Sequence, residues 1–363
     1  MTNNSTLGHS TRSSTEEITC ETVFYIIIAS LSIPGNLVLF CVILRNNSLL
    51  RKTYNIVIFN LALTNILQGV FLFLTPNYVF QLNTYPRMSG IGGEVFCRTV
   101  FSTYFLFVCG KASNASVMCL AIERWYAVVR PTKYKSKFGR RRLYTYIALI
   151  WISASITEIF ELFIAKMVDG SCQWITPPYG AKAESAFLVL HVTVTFYIPS
   201  VVTWVSFAHI WFRMATNKTV GSQNQSTNAK KNVVPMCALA AFFLTVLWFP
   251  TETFWVLKKF EVVILPHVYY LVFNLLAFVS SCINPFIYCL SNRTYRREVA
   301  SLIHRLRCWD RSTRVVPFES QTVSATNDLQ LRTIHGSKTT RVSGDRSPVI
   351  LSGHMRDMYT LPA

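Results

Sequence analysis

The sequence predicts an all-α membrane protein: a seven-transmembrane helix bundle followed by a short amphipathic eighth helix. Two observations predict this fold class. Of the 363 residues, 51% are hydrophobic and only 14% are charged, which is not the composition of an ordinary soluble enzyme. The apolar residues are also gathered into long runs, and about 20 of them in a helix cross a hydrocarbon core of roughly 30 Å.

Seven such runs follow one another along the chain. Together they form one of four parts into which we divide the chain. The runs lie at 22–44, 55–79, 98–123, 143–165, 186–212, 233–257 and 264–290. We expect residues 1–21 to form an extracellular tail, 22–290 the bundle, 291–308 the amphipathic helix, and 309–363 a disordered cytoplasmic tail. The last part is polar, rich in Ser, Thr and Arg, and has no helical periodicity.

The first 21 residues lack the basic start and apolar middle of a cleavable signal peptide, so we expect the first run itself to direct insertion. Overlapping Asn-x-Ser/Thr sequons begin at Asn3 and Asn4 and suit glycosylation of an extracellular tail. The same pattern at Asn114 falls inside a predicted span, which shows that the signal is weak.

Basic residues predict the orientation. Seven of them lie between Arg130 and Arg142, after the third run, and others cluster after the first and fifth runs. Because Lys and Arg accumulate on the cytoplasmic side, the N-terminus is expected outside and the C-terminus inside, at the plasma membrane. The net charge of +18 is then explained by attraction to anionic membrane lipids, and no nucleic acid is needed to explain it.

Three of the ten cysteines are predicted to be extracellular, namely Cys20, Cys97 and Cys172. A disulfide between Cys97 and Cys172 would hold the loop after the fourth run across the outer mouth of the bundle, and leave Cys20 unpaired or bound to another partner. Cys308, beyond the last run, is a candidate for S-palmitoylation or an unmodified thiol.

Short motifs occur in order, one or more on each predicted span. They are "PGNLVLF" with Asn36, "NLALTN", "ERWYAVVRP", Trp151, "FYIPS", "LWFP" and "NPFIY". In this combination the chain resembles a rhodopsin-like (class A) G-protein-coupled receptor, most closely the peptide-receptor branch. The resemblance covers nearly all of the membrane portion, and it implies a receptor that activates a heterotrimeric G protein.

The Glu123-Arg124-Trp125 sequence places opposite charges at the end of an otherwise apolar run. An unpaired Arg124 at the membrane boundary would cost energy, and Glu123 is the available partner. The triplet resembles the family's Asp/Glu-Arg-Tyr motif, whose Arg is held at rest and released to meet the G protein. The alternative is an ordinary interfacial ion pair. Trp125 in place of Tyr is a departure from the family pattern.

Other motif residues have roles that the resemblance implies. Prolines bend membrane helices and create hinges, and three are expected to do so here: Pro199, Pro250 and Pro285. Trp248 resembles the family's aromatic toggle at the floor of the ligand pocket, with simple packing as the alternative. Asn284 and Tyr288 resemble a water-linked relay from the seventh helix to the third.

Two further positions depart from the family pattern. Asn65 stands where the family usually has an Asp, so the anionic centre of the usual sodium pocket is missing, and we expect little sodium modulation. Ser113 and Asn284 remain as candidate partners for the ion. Phe207 replaces a common Tyr, which removes one hydroxyl from the activation relay. The sequence does not determine how either change affects basal signalling.

Ionisable residues inside membrane spans are costly, so they are expected to face the bundle interior and find partners. Five lie at least four residues inside the ends of a run: Lys111, Glu158, Glu161, His191 and Glu252. Lys111 precedes Arg124 by 13 residues, or about 20 Å of helix, which places it in the outer half. We expect Lys111 to pair with Glu158 or Glu252 at the base of the ligand pocket, where a polar or charged ligand group competes. A purely structural ion pair is the alternative.

The ligand class is predicted less directly. No Asp precedes Asp169, so the amine-binding Asp of related receptors is absent, and the seventh span has no Lys to bind retinal. Aromatic residues near the outer span ends, Trp255 among them, favour a peptide ligand such as a neuropeptide. The alternatives are a lipid or nucleotide receptor of the same fold and, from another class, a seven-helix transporter.

Enzyme and metal-site signatures such as His-Glu-x-x-His, Gly-x-Ser-x-Gly or paired Cys-x-x-Cys do not occur. We therefore predict that the protein is not an enzyme and needs no cofactor or metal. The resemblance adds an arrestin and a receptor kinase as intracellular partners, because Ser and Thr in the tail could carry phosphates.

Overall fold

The computed structural model describes residues 10–86, 89–216 and 225–313. Its eight longest helices are α1 (Ser10–Arg45), α2 (Thr53–Leu74), α3 (Tyr104–Val129), α4 (Arg140–Thr157), α5 (Ile198–Thr216), α6 (Gln225–Lys259), α7 (His267–Ser291) and α8 (Arg293–Thr313). Seven segments built on α1 to α7 are long and apolar enough to cross a membrane. The predicted fold class, including the eighth helix, is confirmed.

Shorter helical pieces complete the described chain. Four are α-helical, namely Asn47–Leu50, Gly90–Phe96, Pro131–Lys137 and Gly180–Val192. Two are π-helical, Cys97–Phe101 and Thr193–Tyr197, and two are 3₁₀-helical, Leu82–Thr84 and Ile159–Phe163. Most of these pieces extend or interrupt the long helices.

Several boundaries differ from those expected. α1 begins at Ser10, inside the segment expected to be a polar tail, and α8 continues past residue 308 to Thr313. Polar residues can extend a helix once its apolar part is formed, because each added residue gains a backbone hydrogen bond. Asn3, Asn4 and the tail from residue 314 onward lie outside the described residues, and so does the side chain of Cys308.

α3 occupies the centre of the bundle, where it packs against α2, α4, α5 and α6. α1 packs against α2 and α7, and α7 packs against α6. The contact between α1 and α2 is close, since a Cβ atom added to Gly69 would lie 2.8 Å from Cγ1 of Ile33. Small residues allow this close approach of membrane helices.

The outward surface of the bundle is apolar. On α5, Val201, Val205, Trp211 and Phe212 are each more than 60% exposed. An apolar surface of this kind is costly in water but suited to lipid chains, which gives the bundle a physical reason to lie in a membrane.

The third and fifth spans are irregular at the end of the bundle where Cys97 lies. In the third span, the π-helical turn is followed by Thr103, whose φ of 69° is left-handed and breaks the helix before α3 begins. In the fifth span, the π-helical turn 193–197 ends two residues before Pro199, which has no N–H to bond the preceding turn. Both bends shape the space between the helices.

A β-hairpin covers this end of the bundle. Strands β1 (Ala165–Val168) and β2 (Ser171–Trp174) pair antiparallel, with Val168 opposite Ser171. Asp169 and Gly170 join them with positive φ values of 50° and 77°, as a two-residue hairpin turn requires. The predicted disulfide between Cys97 and Cys172 is confirmed, and it ties the hairpin to the third span.

Candidate functional site

A cavity of about 1040 Å³ opens among the helices beneath the hairpin. Its walls come from α1, the three spans built on α3, α4 and α5, and α6 and α7, together with the hairpin. All five residues predicted to line the ligand pocket lie in this wall, namely Lys111, Glu158, His191, Glu252 and Trp255. Residues far apart in sequence therefore line one space, which we call the cavity.

The floor of the cavity holds a buried ion pair. Nζ of Lys111 in α3 bonds the Oε1 atom of Glu252 in α6, and both side chains are at most 5% exposed. Nζ also lies 5.3 Å from the ring centroid of Trp248, within range of a cation–π interaction. Of the two partners expected for Lys111, Glu252 is the one that bonds it directly.

Glu158 has a different partner. Its Oε1 atom lies 3.3 Å from Nε2 of His191, and the other ring nitrogen, Nδ1, is 3.0 Å from the carbonyl oxygen of Thr157. The ring of Phe160 packs edge-on against the imidazole at a centroid distance of 5.1 Å. His191 therefore joins the fifth span to the end of α4.

Trp255 belongs to an aromatic group higher in the cavity wall. Its ring meets Tyr270 of α7 in a T-shaped contact at 5.1 Å, and Nζ of Lys258 lies 5.1 Å from its centroid. Aromatic faces with a cation held among them provide both apolar area and a polar handle for a ligand.

Trp248 is buried beneath the ion pair, with 1% of its surface exposed. Its Nε1 donates to Oγ of Ser280 in α7 at 2.9 Å. A Cβ atom added to Gly110 would lie 2.5 Å from Cη2 of this ring, so only glycine leaves room for it. The indole therefore fills the contact among α3, α6 and α7, two residues before Pro250 within α6.

Below the tryptophan, a polar group joins α1, α2, α3 and α7. Nδ2 of Asn65 donates to Oδ1 of Asn36 at 3.2 Å, and Oγ of Ser113 donates to Oδ1 of Asn65 at 2.9 Å. Nδ2 of Asn36 in turn donates to the carbonyl of Ser281 at 2.9 Å. The Asn65 amide thus uses both its donor and its acceptor, which a carboxylate at this position could not do.

Asn284 and Tyr288 are buried in α7, which also contains Pro285. Pro285 packs close to α1, because a Cβ atom on Gly35 would lie 3.3 Å from its Cγ. Among the described residues, the Tyr288 hydroxyl has no hydrogen-bond partner, and the water-linked relay to α3 stays a prediction.

The opposite end of α3 holds Arg124 in a buried ionic cluster. Nε and Nη2 of Arg124 donate to the two oxygens of Glu123 at 2.5 and 2.6 Å, and its guanidinium lies 4.4 Å from the ring centroid of Tyr54. Thr53 and Tyr134 also donate to Oε1 of Glu123. We call these five residues the arginine cluster.

Tyr134 lies in the Pro131–Lys137 helix that follows α3. Burial and the adjacent charge of Glu123 raise the pKa of its hydroxyl above the usual value, so it stays protonated and remains a donor. Trp125, which stands where the family motif has Tyr, donates from Nε1 to Nδ1 of His209 in α5 at 3.1 Å. Its indole therefore joins α3 to α5 beside the cluster.

The sequence alone did not indicate five residues that contact Glu123, Arg124, Trp125 or Trp248, namely Thr53, Tyr54, Tyr134, His209 and Ser280. Each lies on a different element from the motif residue that it contacts, and none belongs to a charged or Pro-containing motif. Tyr134 follows the Arg130-Pro131 pair by a few residues, but that spacing alone does not indicate a contact with Glu123.

Comparisons with known proteins agree with this architecture. The sequence model of the family "7 transmembrane receptor (rhodopsin family)" matches residues 35–288, more than half of the chain. The chain therefore belongs to the rhodopsin family of seven-transmembrane receptors, whose members are signalling receptors and not enzymes.

Similar proteins include three from different animals. A QRFP-like peptide receptor of Branchiostoma floridae is 25% identical over 81% of this chain and 79% of its own length. Tachykinin-like peptides receptor 99D of Drosophila melanogaster is 22% identical over 72% of this chain and 52% of its own length. Neuropeptide Y receptor type 4-2 of Homo sapiens is 25% identical over 90% of this chain and 88% of its own length.

Proposed function

We propose that this chain is a plasma-membrane receptor that converts the binding of an extracellular peptide into activation of a heterotrimeric G protein. The observation that carries the proposal is the position of two buried ionic groups on one central helix. Lys111 lies in the cavity floor and Arg124 in the arginine cluster, about 20 Å apart along α3.

The size and lining of the cavity support a peptide ligand. At about 1040 Å³ it reaches the upper end of the range for small-molecule sites, and its wall combines aromatic and charged side chains. The relatives described above are named as receptors for QRFP-like peptides, tachykinin-like peptides and neuropeptide Y. These names favour a neuropeptide over the lipid or nucleotide alternatives.

The ion pair provides a route from ligand to helix movement. A polar ligand group that bonds Lys111 or Glu252 competes with the bond between α3 and α6, directly above Trp248. Loss of that bond frees the outer part of α6 to move about Pro250, with Pro199 as a second hinge in α5. A ligand acts in this way only if it binds the rearranged state more tightly.

At the other end of the bundle, the rearrangement releases Arg124 from Glu123 to meet the G protein. The same movement stretches the bond from Trp125 to His209, because it separates α3 from α5. Helix–helix hydrogen bonds in membranes are worth about 0.6 to 2 kcal/mol each, so a few of them hold the resting state without locking it.

The proposal includes an orientation and further partners. The basic residues around the arginine cluster support a cytoplasmic position for this end, and an extracellular position for the disulfide and for the N-terminal tail with its glycosylation sequons. Phosphorylation of the C-terminal tail by a receptor kinase would create an arrestin site, and basic residues of α8 would contact anionic membrane lipids.

The decisive experiment measures G-protein activation in cells that express the chain, across a panel of Gα subtypes and pooled neuropeptides. We expect a peptide response that Arg124→Ala abolishes at equal surface expression. Arg130→Ala is the matched control, because Arg130 is exposed one residue past the end of α3. An Arg124-dependent basal signal without any peptide response would refute the peptide ligand but keep the receptor.

A further inference from the structure

Two carboxylates share one face of the cavity wall. Glu158 follows α4, and the 3₁₀ turn Ile159–Phe163 comes next, in which the N–H of Glu161 donates to the carbonyl of Glu158. Residues three apart eclipse one another in a 3₁₀ helix, so both side chains point the same way. Both line the cavity. Their like charges repel unless a cation or a proton lies between them.

The contact between Glu158 and His191 requires a proton. A carbonyl oxygen can only accept, so the 3.0 Å contact with Thr157 shows that Nδ1 of His191 carries its hydrogen. In a neutral imidazole, Nε2 would then direct its lone pair at Oε1 of Glu158, 3.3 Å away. The contact is attractive only when His191 is doubly protonated or when Glu158 is protonated. The pair therefore shares one proton.

The cavity as a whole has an excess of acid. Six glutamates line it against three lysines, in a chain whose net charge is +18. Two of the lysines are already bonded to cavity glutamates, Lys111 to Glu252 and Lys259 to Glu184. The third, Lys258, lies over the aromatic rings of Trp255 and its neighbours. The electrostatic complement of this lining is a positively charged ligand.

A second observation points to a ligand group in the same cavity. Thr251 lines the cavity with 2% of its surface exposed, and within the described part of the chain its hydroxyl has no hydrogen-bond partner. Buried polar atoms are normally paired, so an unpaired hydroxyl in a cavity wall marks a position that a ligand donor would occupy.

We propose that Glu158 and Glu161 bind a guanidinium or ammonium group of the peptide ligand, in competition with the proton that Glu158 shares with His191. This inference rests on the peptide-receptor function proposed above. Two carboxylates suit a forked guanidinium, and the Thr251 hydroxyl offers a further acceptor in the same cavity. The other charged groups that face the pair are Lys111 from α3, Glu252 from α6 and Glu184 from the fifth span.

The test uses two small probes with the full chain purified in lipid nanodiscs. N-acetyl-arginine amide carries the cation, and N-acetyl-citrulline amide has nearly the same shape without the charge. We expect the arginine probe to raise the thermal unfolding temperature at concentrations on the order of tenfold lower than the citrulline probe. Equal stabilisation by the two probes, or none by either, would overturn the proposal.

Matched variants locate the effect. Glu158→Gln/Glu161→Gln should remove the preference for arginine, whereas Glu298→Gln, in α8 and outside the cavity, should retain it. If the double variant does not fold, Glu161→Gln can be tested alone, because Glu161 lies in the short turn that ends the fourth span. Loss of this one carboxylate should reduce the preference for arginine. A preference that persists in the Glu161 and double variants, or that disappears equally in Glu298→Gln, contradicts the assignment.

The shared proton predicts a pH profile that simple packing would not produce. Raising the pH removes the competing proton, so the arginine probe should bind more tightly as pH increases. In His191→Asn the amide donates to Glu158 without any shared proton, and we expect the preference for arginine to remain while its pH dependence flattens. A pH profile unchanged by this substitution would refute the proton competition.

The outcome can be separated from that of the proposed function. The chain could prefer the arginine probe through Glu158 and Glu161 and yet respond to no peptide. That result would support the cation site and refute the proposed peptide receptor. A peptide response with no arginine preference at these residues would keep the receptor and overturn the cation site.

Discussion

Lys111 of α3 and Glu252 of α6 form an ion pair that is almost fully buried, directly above the ring of Trp248. The pair joins the two helices at the floor of a cavity that is open to solvent at its other end. A buried charge is tolerated only when it is paired, so each partner depends on the other. The relationship makes the pair both a structural bond and a point that a ligand can reach.

Breaking one side of the pair should cost stability, and neutralising both sides should restore it. Lys111→Met leaves the Glu252 carboxylate buried without a partner, which we expect to lower the free energy of unfolding by about 3 kcal/mol. Lys111→Met/Glu252→Met should recover most of this loss. Thermal unfolding of the two variants in nanodiscs measures it, and additive losses in the double variant would show that the residues do not act as a pair.

The same variants test the ligand role. At equal surface expression, Lys111→Met/Glu252→Met should signal more strongly without ligand, because α3 and α6 are no longer joined by the ion pair. The double variant should also need a higher agonist concentration to respond. Unchanged agonist potency in this double variant would leave the pair with a structural role alone.

A methyl group at residue 110 should displace Trp248. Its Cβ would lie 2.5 and 2.8 Å from Cη2 and Cζ2 of the indole, closer than real contacts allow. We expect Gly110→Ala to destabilise the resting fold by about 1 to 3 kcal/mol and to change basal signalling.

Two controls accompany this substitution. Gly92→Ala adds the same methyl group in open space and should be neutral. Gly110→Ala/Trp248→Phe should restore stability, because the smaller ring leaves room for the added carbon. Basal G-protein activation and thermal unfolding measure both effects, and a destabilised Gly92→Ala would show that glycine flexibility is the cause rather than the contact.

The polar group around Asn65 should function without sodium. The amide already donates to Asn36 and accepts from Ser113, so it provides no net charge to attract a cation. We expect the unfolding temperature to be the same in sodium and in N-methyl-glucamine chloride at equal ionic strength. Asn65→Asp should introduce a sodium-dependent rise, and sodium dependence of the unsubstituted chain would contradict this reading of the site.

Removing donors from the arginine cluster should raise basal signalling. Tyr134→Phe and Thr53→Ala each delete one hydrogen bond to Oε1 of Glu123, and each such bond is worth about 1 kcal/mol. With fewer donors, Glu123 and Arg124 are held less firmly. Tyr144→Phe, at an exposed position of α4, is the matched control. Basal activity equal in all three variants would contradict a restraining role for the cluster.

The disulfide should stabilise the hairpin that covers the cavity. Cys97→Ala/Cys172→Ala frees β1 and β2 from the third span, and we expect a loss of about 2 to 5 kcal/mol together with weaker peptide binding. Cys20→Ala, at an exposed position outside the bond, should have little effect. Peptide affinity that survives loss of the bond would show that the hairpin does not shape the site.

Much of the fold was predictable because its signals are local. Apolar runs of the right length fix the number and order of the spans, and the breaks near Thr103 and Glu158 are the main features that they do not show. Both breaks depend on how neighbouring helices pack, not on a Gly or Pro in the chain. The hairpin was also missed, although Asp169-Gly170 is a recognised turn sequence.

The candidate site divides in the same way. The sequence by itself determined which charged residues had to be satisfied inside the membrane, because an unpaired ion there is costly wherever it lies. It also determined the seven spans and the cysteines available to form the disulfide. Tertiary structure alone decided the partners: Glu252 for Lys111, His191 for Glu158, and Thr53 and Tyr134 for Glu123. The physical reason is that pairing depends on the rotation and depth of each helix in the bundle, and these are set by packing between segments far apart in the chain.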